Sequence, residues 1–369
     1  MRIGFVIYGS LDTLSGGYLY DRMLVKSLLD AGDQIEIFSL PWHAYPRLLW
    51  QNVSPAITRR LINHRVDVML QDELNHPSLF ALNRRLRREI NSPLISIVHH
   101  LRSSERHFGL WVPFYRLVER AYLDTVHGFI FNSQSTQATV RHLLGRSVKG
   151  CVVTPAGDRL GPGLNGETIR ARAKRQEVVN LLFVGNLVPR KGLATLLKAL
   201  KILGSQAWVL RIVGRMDVDA KYAAGIRHLA MHPALKDRVV FLGNLGDKEL
   251  ENEFRRGQIL VVPSEYEGFG IVYLEGMGFG LPAVATTAGG AMEIIQEGKN
   301  GRLVAPESPE RLAEALGSLV CNRDELLRMS LAARERYEEF PGWEKGMEPA
   351  VAYIHSLGGE KDIPTPVHL

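Results

Sequence analysis

Glu267 and Glu275 stand eight positions apart in the segment Pro263-Ser-Glu-Tyr-Glu-Gly-Phe-Gly-Ile-Val-Tyr-Leu-Glu-Gly-Met-Gly-Phe-Gly-Leu-Pro282. Leu260-Val261-Val262 reads as a short buried strand that Pro263 and Ser264 end. Gly268-Phe269-Gly270 then opens a helix whose apolar positions are Ile271, Val272, Leu274 and Met277. The free N–H groups of a first helical turn, with the helix dipole, attract anions. Glycines at 268 and 270 let a diphosphate approach the backbone without a Cβ in the way. Glu267, just outside the helix, can accept from sugar hydroxyls, and Glu275, about a turn and a half inside, from a ribose diol. A sugar nucleotide offers all three groups. The spacing alone is equally what an acidic helix cap followed by a solvated glutamate would give.

Leu181-Leu-Phe-Val-Gly185-Asn-Leu-Val-Pro-Arg190-Lys191-Gly192 reads as strand, loop and the start of an amphipathic helix, with Gly185 at the strand end. The fork of Arg190 and the point charge of Lys191 suit a diphosphate and the charge that develops on a leaving group. An ordinary basic loop would look the same. Pro93–Val98 is another strand, and His99-His100-Leu101 stands at its carboxyl end, the edge where open α/β sheets bind ligands. Arg102, Ser104 and Glu105 follow. Near the start, strand Arg2–Tyr8 leads through a loop with Gly16 and Gly17 into a helix through Met23, Leu24 and Leu28. This is a Rossmann-like unit without the Gly-x-Gly-x-x-Gly fingerprint, and a flexible surface loop is the alternative for the paired glycines.

The run Gly280-Leu-Pro-Ala-Val-Ala-Thr-Thr-Ala-Gly-Gly290-Ala-Met-Glu293 continues as helix stop, buried strand and glycine turn. With the motifs above it resembles the C-terminal signature of the family 4 retaining glycosyltransferases, the glycosyl transferases group 1. The resemblance implies the α/β GT-B fold: two Rossmann-like domains facing each other across a cleft, with a C-terminal helix crossing back to the first. It implies a retaining hexosyltransferase that moves a hexose-type sugar from a UDP- or GDP-linked donor to an acceptor hydroxyl. In that reading His99, Arg190, Lys191 and Glu267 are catalytic. Gly16, Gly17, Gly185, Leu242, Gly268, Phe269, Gly270 and Glu275 bind the donor, and His100, Arg102 and Glu105 face the acceptor. Family members often carry Asp where His100 stands, which puts the acceptor chemistry tied to that Asp in doubt. Arginine, lysine and helix amides stabilise the diphosphate in this fold, so no metal site and no cofactor are expected. A GT-B epimerase or phosphorylase would use the same machinery, and a non-catalytic protein could retain the fold.

Strands and helices alternate along the chain, without short repeats or low-complexity tracts, as parallel sheets covered by helices require. The expected domains are 1–160, 175–341 and a crossing helix at 342–358, with a linker within Arg159–Glu177 and a tail from about Gly358. The chain has 369 residues, 46% of them hydrophobic and 23% charged, which suits two ordinary cores rather than disorder. Two distant cysteines, Cys151 and Cys321, make neither a disulfide framework nor a zinc site. With no signal-like start and no run of about 18 apolar residues, the expected location is the cytoplasm, including the inner face of a membrane. Residues 1–160 hold 19 Lys and Arg against 13 Asp and Glu, whereas the remainder holds 26 of each. Arg84, Arg85, Arg87 and Arg88 share one stretch. Arg102, Arg106, Arg116 and Arg120 interleave with Phe108, Leu110, Trp111, Phe114 and Leu117. That pattern fits an anionic membrane surface or, equally, a solvated basic helix face. No nucleic-acid motif accompanies it.

Overall fold

Runs of apolar residues too short to be helices and buried on both faces become parallel strands. In the computed structural model, which describes residues 1–175, 178–204 and 206–359, the strands form two six-stranded sheets. The first contains β1 Arg2–Tyr8, β2 Gln34–Leu40, β3 Val68–Asp72, β4 Leu94–Val98, β5 Gly128–Phe131 and β6 Gly150–Val152. Their order is β2-β1-β3-β4-β5-β6, and every residue of β3, β4 and β5 is buried.

The second sheet contains β7 Val179–Val184, β8 Trp208–Val213, β9 Val239–Gly243, β10 Ile259–Val261, β11 Ala283–Thr286 and β12 Gly301–Val304, in the order β12-β11-β10-β7-β8-β9. All pairings in both sheets are parallel. In each sheet the order of strands reverses once, between β1 and β3 in the first and between β7 and β10 in the second. At such a switch point the two connections leave in opposite directions and open a crevice at the carboxyl edge.

The chain divides into two units, Met1–Pro155 with the segment from Glu344 onward, and Ala156–Trp343. The last helix, Trp343–Gly359, packs within the first unit: His355 Nε2 lies 2.8 Å from Asp33 Oδ2, and that aspartate also holds the N-terminal ammonium at 2.8 Å. The segment expected as a linker is instead structured in the second unit. It contains the turn Asp158–Leu160 and the helix Gly166–Arg175, while Gln176 and Glu177 lie outside the described residues. The tail expected from Gly358 overlaps the end of the last helix, and from residue 360 it lies outside the described residues.

Backbone contacts clamp the first part of that segment. Leu164 N donates to Gly278 O at 2.9 Å, and Arg334 Nη1 donates to Pro162 O at 2.7 Å. Gly163 sits at φ +73°, where a Cβ would overlap the Gly278 carbonyl. Gly163→Ala is therefore expected to destabilise the second unit by about 2 kcal/mol or more, measured by denaturant unfolding. An unchanged midpoint would show that the segment behaves as a free linker.

Candidate active site

The switch point of the second sheet brings together residues that follow β7 and β10. Arg190 and Lys191 form a short helical turn after β7, and Gly192, at φ +70°, starts the helix Leu193–Leu203. Only glycine fits there, because a Cβ would overlap the Pro263 carbonyl. The loop after β10 thus lies directly against the basic turn, and Glu265 N donates to Arg190 O at 2.8 Å. Lys191 Nζ donates to Glu267 Oε2 at 2.7 Å, Ser264 Oγ donates to the same oxygen at 3.0 Å, and Arg190 Nη1 lies 3.9 Å from it. Gly185 borders the Lys191 stem. Burial works against ionisation of Glu267, yet the charges of Lys191 and Arg190, with hydrogen bonds from Lys191 and Ser264, hold its pKa down at about 2.

The expected helix begins at Ile271, with Gly270 as its N-cap at φ +100°. Its apolar positions are Leu274 and Met277, fully buried, with Ile271 and Val272 partly so. The side chain of Phe269, a residue expected to bind the donor, is in the core, 2% exposed and edge-on to Phe340. Its aromatic ring belongs between helix and sheet, so only its backbone is available at the site. Leu242 is likewise packed against the core at the end of β9, leaving its main chain as the polar part.

Glu275 is buried but not alone. Arg159 Nε donates to Glu275 Oε1 at 2.9 Å and Arg159 Nη1 pairs with Asp247. Burial raises the Glu275 pKa, and Arg159 opposes the rise. Arg159 was assigned to the linker in the sequence, where nothing distinguishes it from a solvated cation.

The first unit gathers its own polar group at the carboxyl edge of β1, β3 and β4. Ser15 caps the helix Gly16–Asp30 through Tyr18 N, so Gly16 and Gly17 form the first helical turn and not a loose loop. A Cβ on Gly17 would come within 3.1 Å of the His99 ring. His99 Nε2 lies 3.1 Å from Asp21 Oδ1, its backbone N–H donates to Glu73 Oε2 at 3.3 Å, and Asn132 Nδ2 donates to its carbonyl at 2.8 Å. Burial works against charge on the ring, but Asp21, by charge and hydrogen bond, with Asp72 and Glu73 nearby, holds the His99 pKa up at about 9. Burial and then the Asp21 charge push Asp72 up to about 7, and burial and Asp72 push Glu73 far above the carboxylate range.

Ligand atoms of Asp21, Asp72 and His99 lie within 4.8 Å of one another, the one such group found among the described residues that could hold a metal ion. His100 Nε2 meets Glu105 Oε1 at 2.8 Å, while Arg102 lies over the rings of Tyr45 and Tyr115 at 5.2 and 4.9 Å. Asp21, Asp72 and Glu73 were missed in the sequence. The last two carry the same signal that marked His99, polar residues immediately at the carboxyl end of a buried strand, whereas Asp21 carries none.

Residues 166–336 match the model of the family described as Glycosyl transferases group 1. An uncharacterized glycosyltransferase of Methanocaldococcus jannaschii is 39% identical over 139 residues, 36% of this chain and 33% of that protein. A GDP-mannose-dependent alpha-(1-6)-phosphatidylinositol monomannoside mannosyltransferase of Mycobacterium tuberculosis is 30% identical over 250 residues, 64% of each chain. The chain thus spans between 33% and 64% of the length of these two relatives. Among solved structures, sucrose-phosphate synthase of Thermosynechococcus elongatus matches with a TM-score of 0.81 and 20% identity, over 96% of this chain and 98% of that one. The Anabaena protein HepE in complex with UDP-glucose matches at 0.77 and 18%, over 96% and 99%. These likenesses show the GT-B fold.

Because the folded Glu267 pKa lies below its unfolded value of 4.5, its contribution to stability is complete above that value and is lost as pH falls toward about 2. Glu267→Gln should remove that acid limb and lower stability at neutral pH by about 3 kcal/mol. Urea unfolding across the acid range checks this; an unaltered pH profile would show that Glu267 is not ionised through Lys191 and Arg190.

Proposed function

Since residues 166–336 belong to the group 1 glycosyl transferases, we propose that this chain transfers a hexose-type sugar from a UDP- or GDP-linked donor to an acceptor hydroxyl, with retention at the anomeric carbon. The observation that carries the reading is the convergence of Lys191, Arg190 and Glu267 at the β7/β10 switch point. Two relatives add support on the donor: one is named as GDP-mannose-dependent, and another was solved with UDP-glucose.

In this reading the diphosphate meets Lys191, Arg190 and the backbone of Gly268–Gly270, and the three donors of Lys191 serve both the phosphate and Glu267. The bond from anomeric carbon to diphosphate oxygen breaks with its electron pair leaving on the phosphate. The acceptor oxygen bonds to that carbon on the same face, and its proton passes to the departing phosphate. The two cations offset the charge gained by the leaving group. Glu267, kept anionic, orients the sugar and supports the positive charge that develops on it. Glu275, steadied by Arg159, accepts from the ribose diol. No protein nucleophile and no metal enter the scheme. An epimerase or phosphorylase would betray itself by inverted sugar stereochemistry or released sugar phosphate in place of a glycoside.

A screen of UDP-, GDP- and ADP-sugars by thermal shift and donor hydrolysis tests the reading. Stabilisation by one donor should fall at least about tenfold in apparent affinity in Lys191→Ala, the loss expected of a charge-assisted contact worth about 1.5–3 kcal/mol, and likewise in Glu275→Ala. Absence of any donor effect on the intact protein would favour the phosphorylase or non-catalytic readings.

A membrane-bound acceptor surface has a specific basis in the first unit. The helix Val112–Leu123 exposes Phe114, Arg116, Leu117 and Arg120 beside exposed Leu110 and Trp111, and the Tyr45 ring meets Phe114. The side chains of Arg106 and Phe108 lie outside what the structure describes. No helix of the described residues is long and apolar enough to cross a membrane. Pelleting with anionic but not neutral vesicles, reversed by salt, is expected; no pelleting with either removes the patch from the account.

A further inference from the structure

Asp21, Asp72 and Glu73 are three carboxyl groups withdrawn from water, none more than 1% exposed. Among the described residues no lysine or arginine pairs with any of them, and His99, whose Nε2 lies 3.1 Å from Asp21 Oδ1, is the one partner able to carry positive charge. Hydrogen bonds complete only half of each group. Asp72 Oδ1 accepts from Leu74 N at 3.0 Å and Glu73 Oε2 from His99 N at 3.3 Å. Asp21 Oδ2, Asp72 Oδ2 and Glu73 Oε1 are buried and meet no donor among the described residues. A buried acceptor without a donor costs more than its hydrogen bond would have gained, so folded chains rarely leave one, and here three lie close together. The groups come from separate elements. Asp21 lies on the second turn of the helix Gly16–Asp30 that follows β1, Asp72 ends β3, and His99 follows β4. They converge at the β1/β3 switch point of the first sheet, where one ligand atom from each of Asp21, Asp72 and His99 lies within 4.8 Å of the others.

We propose that Asp21, Asp72 and His99 bind a single divalent transition-metal ion, which ties the first helix to the ends of β3 and β4. The donors choose the ion. Imidazole nitrogen favours zinc, carboxylate oxygen admits manganese as well, and magnesium is ordinarily held by oxygen alone. The spacing agrees. Ligand bonds of about 2.0–2.2 Å to one ion bring neighbouring ligand atoms to about 3–3.5 Å from each other, and His99 Nε2 and Asp21 Oδ1 already stand 3.1 Å apart. The ion supplies the positive charge that no lysine or arginine brings to these carboxylates, and it gives their unpartnered oxygens a ligand. The surroundings are those of a supported site. Leu74 N orients the Asp72 carboxylate, and Glu73 anchors the His99 backbone. The ring itself is confined by Gly17, where a Cβ would come within 3.1 Å of it, and by Tyr20, edge-on at 5.4 Å between centroids. His99, expected as a catalytic residue, is then a metal ligand. The ion belongs to the first unit alone and does not depend on the sugar-transfer reading, in which Lys191 and Arg190 serve the diphosphate.

Metal binding by the full chain tests this. Stripped with EDTA, freed of the chelator and titrated with Zn2+, Mn2+ or Mg2+, the protein should take up one equivalent of zinc or manganese by calorimetry and elemental analysis, and no magnesium at the same concentration. Its thermal midpoint should rise with the bound ion and fall again on stripping. Mn2+ bound to protein carrying 15N-labelled histidine should show electron spin-echo modulation from a directly coordinated imidazole nitrogen. Asp72→Asn, which preserves shape, should weaken binding by at least about 100-fold, the upper end of what loss of a merely supporting group costs. His100→Asn, which alters the neighbouring pair with Glu105, should bind as the unaltered protein does. Failure to bind either ion, or manganese bound without a histidine nitrogen, overturns the proposal from the unaltered protein alone, even where a variant does not fold. Unchanged affinity in Asp72→Asn, or an equal loss in His100→Asn, also overturns it, since either puts the ion elsewhere. The donor screen reads the sugar-transfer proposal separately, so either can fail while the other stands.

Discussion

The second unit depends on backbone meeting backbone where side chains are forbidden. The segment 263–270, which carries Glu267, is pinned on both flanks. On one side Gly192 admits the Pro263 carbonyl; on the other, Gly289 and Gly290 admit the carbonyls of Glu267 and Gly268. Gly290 N donates to Glu267 O at 2.7 Å and Thr286 Oγ1 to Ser264 O at 2.6 Å, so the loop after β10 is tied to the turn after β11. A Cβ at any of these three glycines would separate the loop from its neighbours. Lys191 and Glu267 would then no longer share one hydrogen bond. The charge pair is thus a product of main-chain proximity, and the side chains only make use of it.

Burial alone does not decide how the carboxyl groups of this chain ionise. Glu267 and Asp72 are both largely withdrawn from water, yet one is driven down to about 2 and the other up to about 7. Two cations and a hydroxyl surround the first, whereas another carboxylate, Asp21, faces the second. The same loss of hydration is overcome where positive partners are within a few ångströms and reinforced where negative ones are. The two units therefore present opposite chemistry at equivalent edges of equivalent sheets. In the second, two cations hold Glu267, and in the first, three carboxyl groups gather about His99.

Much of this architecture could be read in the chain because period and punctuation are local. The strand ends at Gly185 and Val98, the basic pair at 190–191 and the helix after Gly270 all follow from apolar runs and glycines. Long-range pairing was not legible. Nothing near Glu275 announces Arg159, which stands 116 residues earlier, and nothing near His99 announces Asp21. The ring of Phe269 shows the same limit: its neighbours Gly268 and Gly270 are site-like, but the inward packing of the ring between them against Phe340 is not written in the segment. The linker failed because glycine and charge signal a loop without saying what the loop lies against. In this chain Gly163 lies against the Gly278 carbonyl.

The same energetics bear on whether a fold of this kind would carry these groups idly. A buried ion pair is weak support for stability, since well-packed apolar residues of the same volume do as well or better, while removing one partner leaves a costly lone charge. Lys191 and Arg190 bring two cations to one carboxylate at a crevice, and Asp21, Asp72 and Glu73 bring three buried carboxyl groups to one imidazole. Neither crowding helps folding. An anion bearing several oxygens relieves the crowding of the two cations over the second sheet.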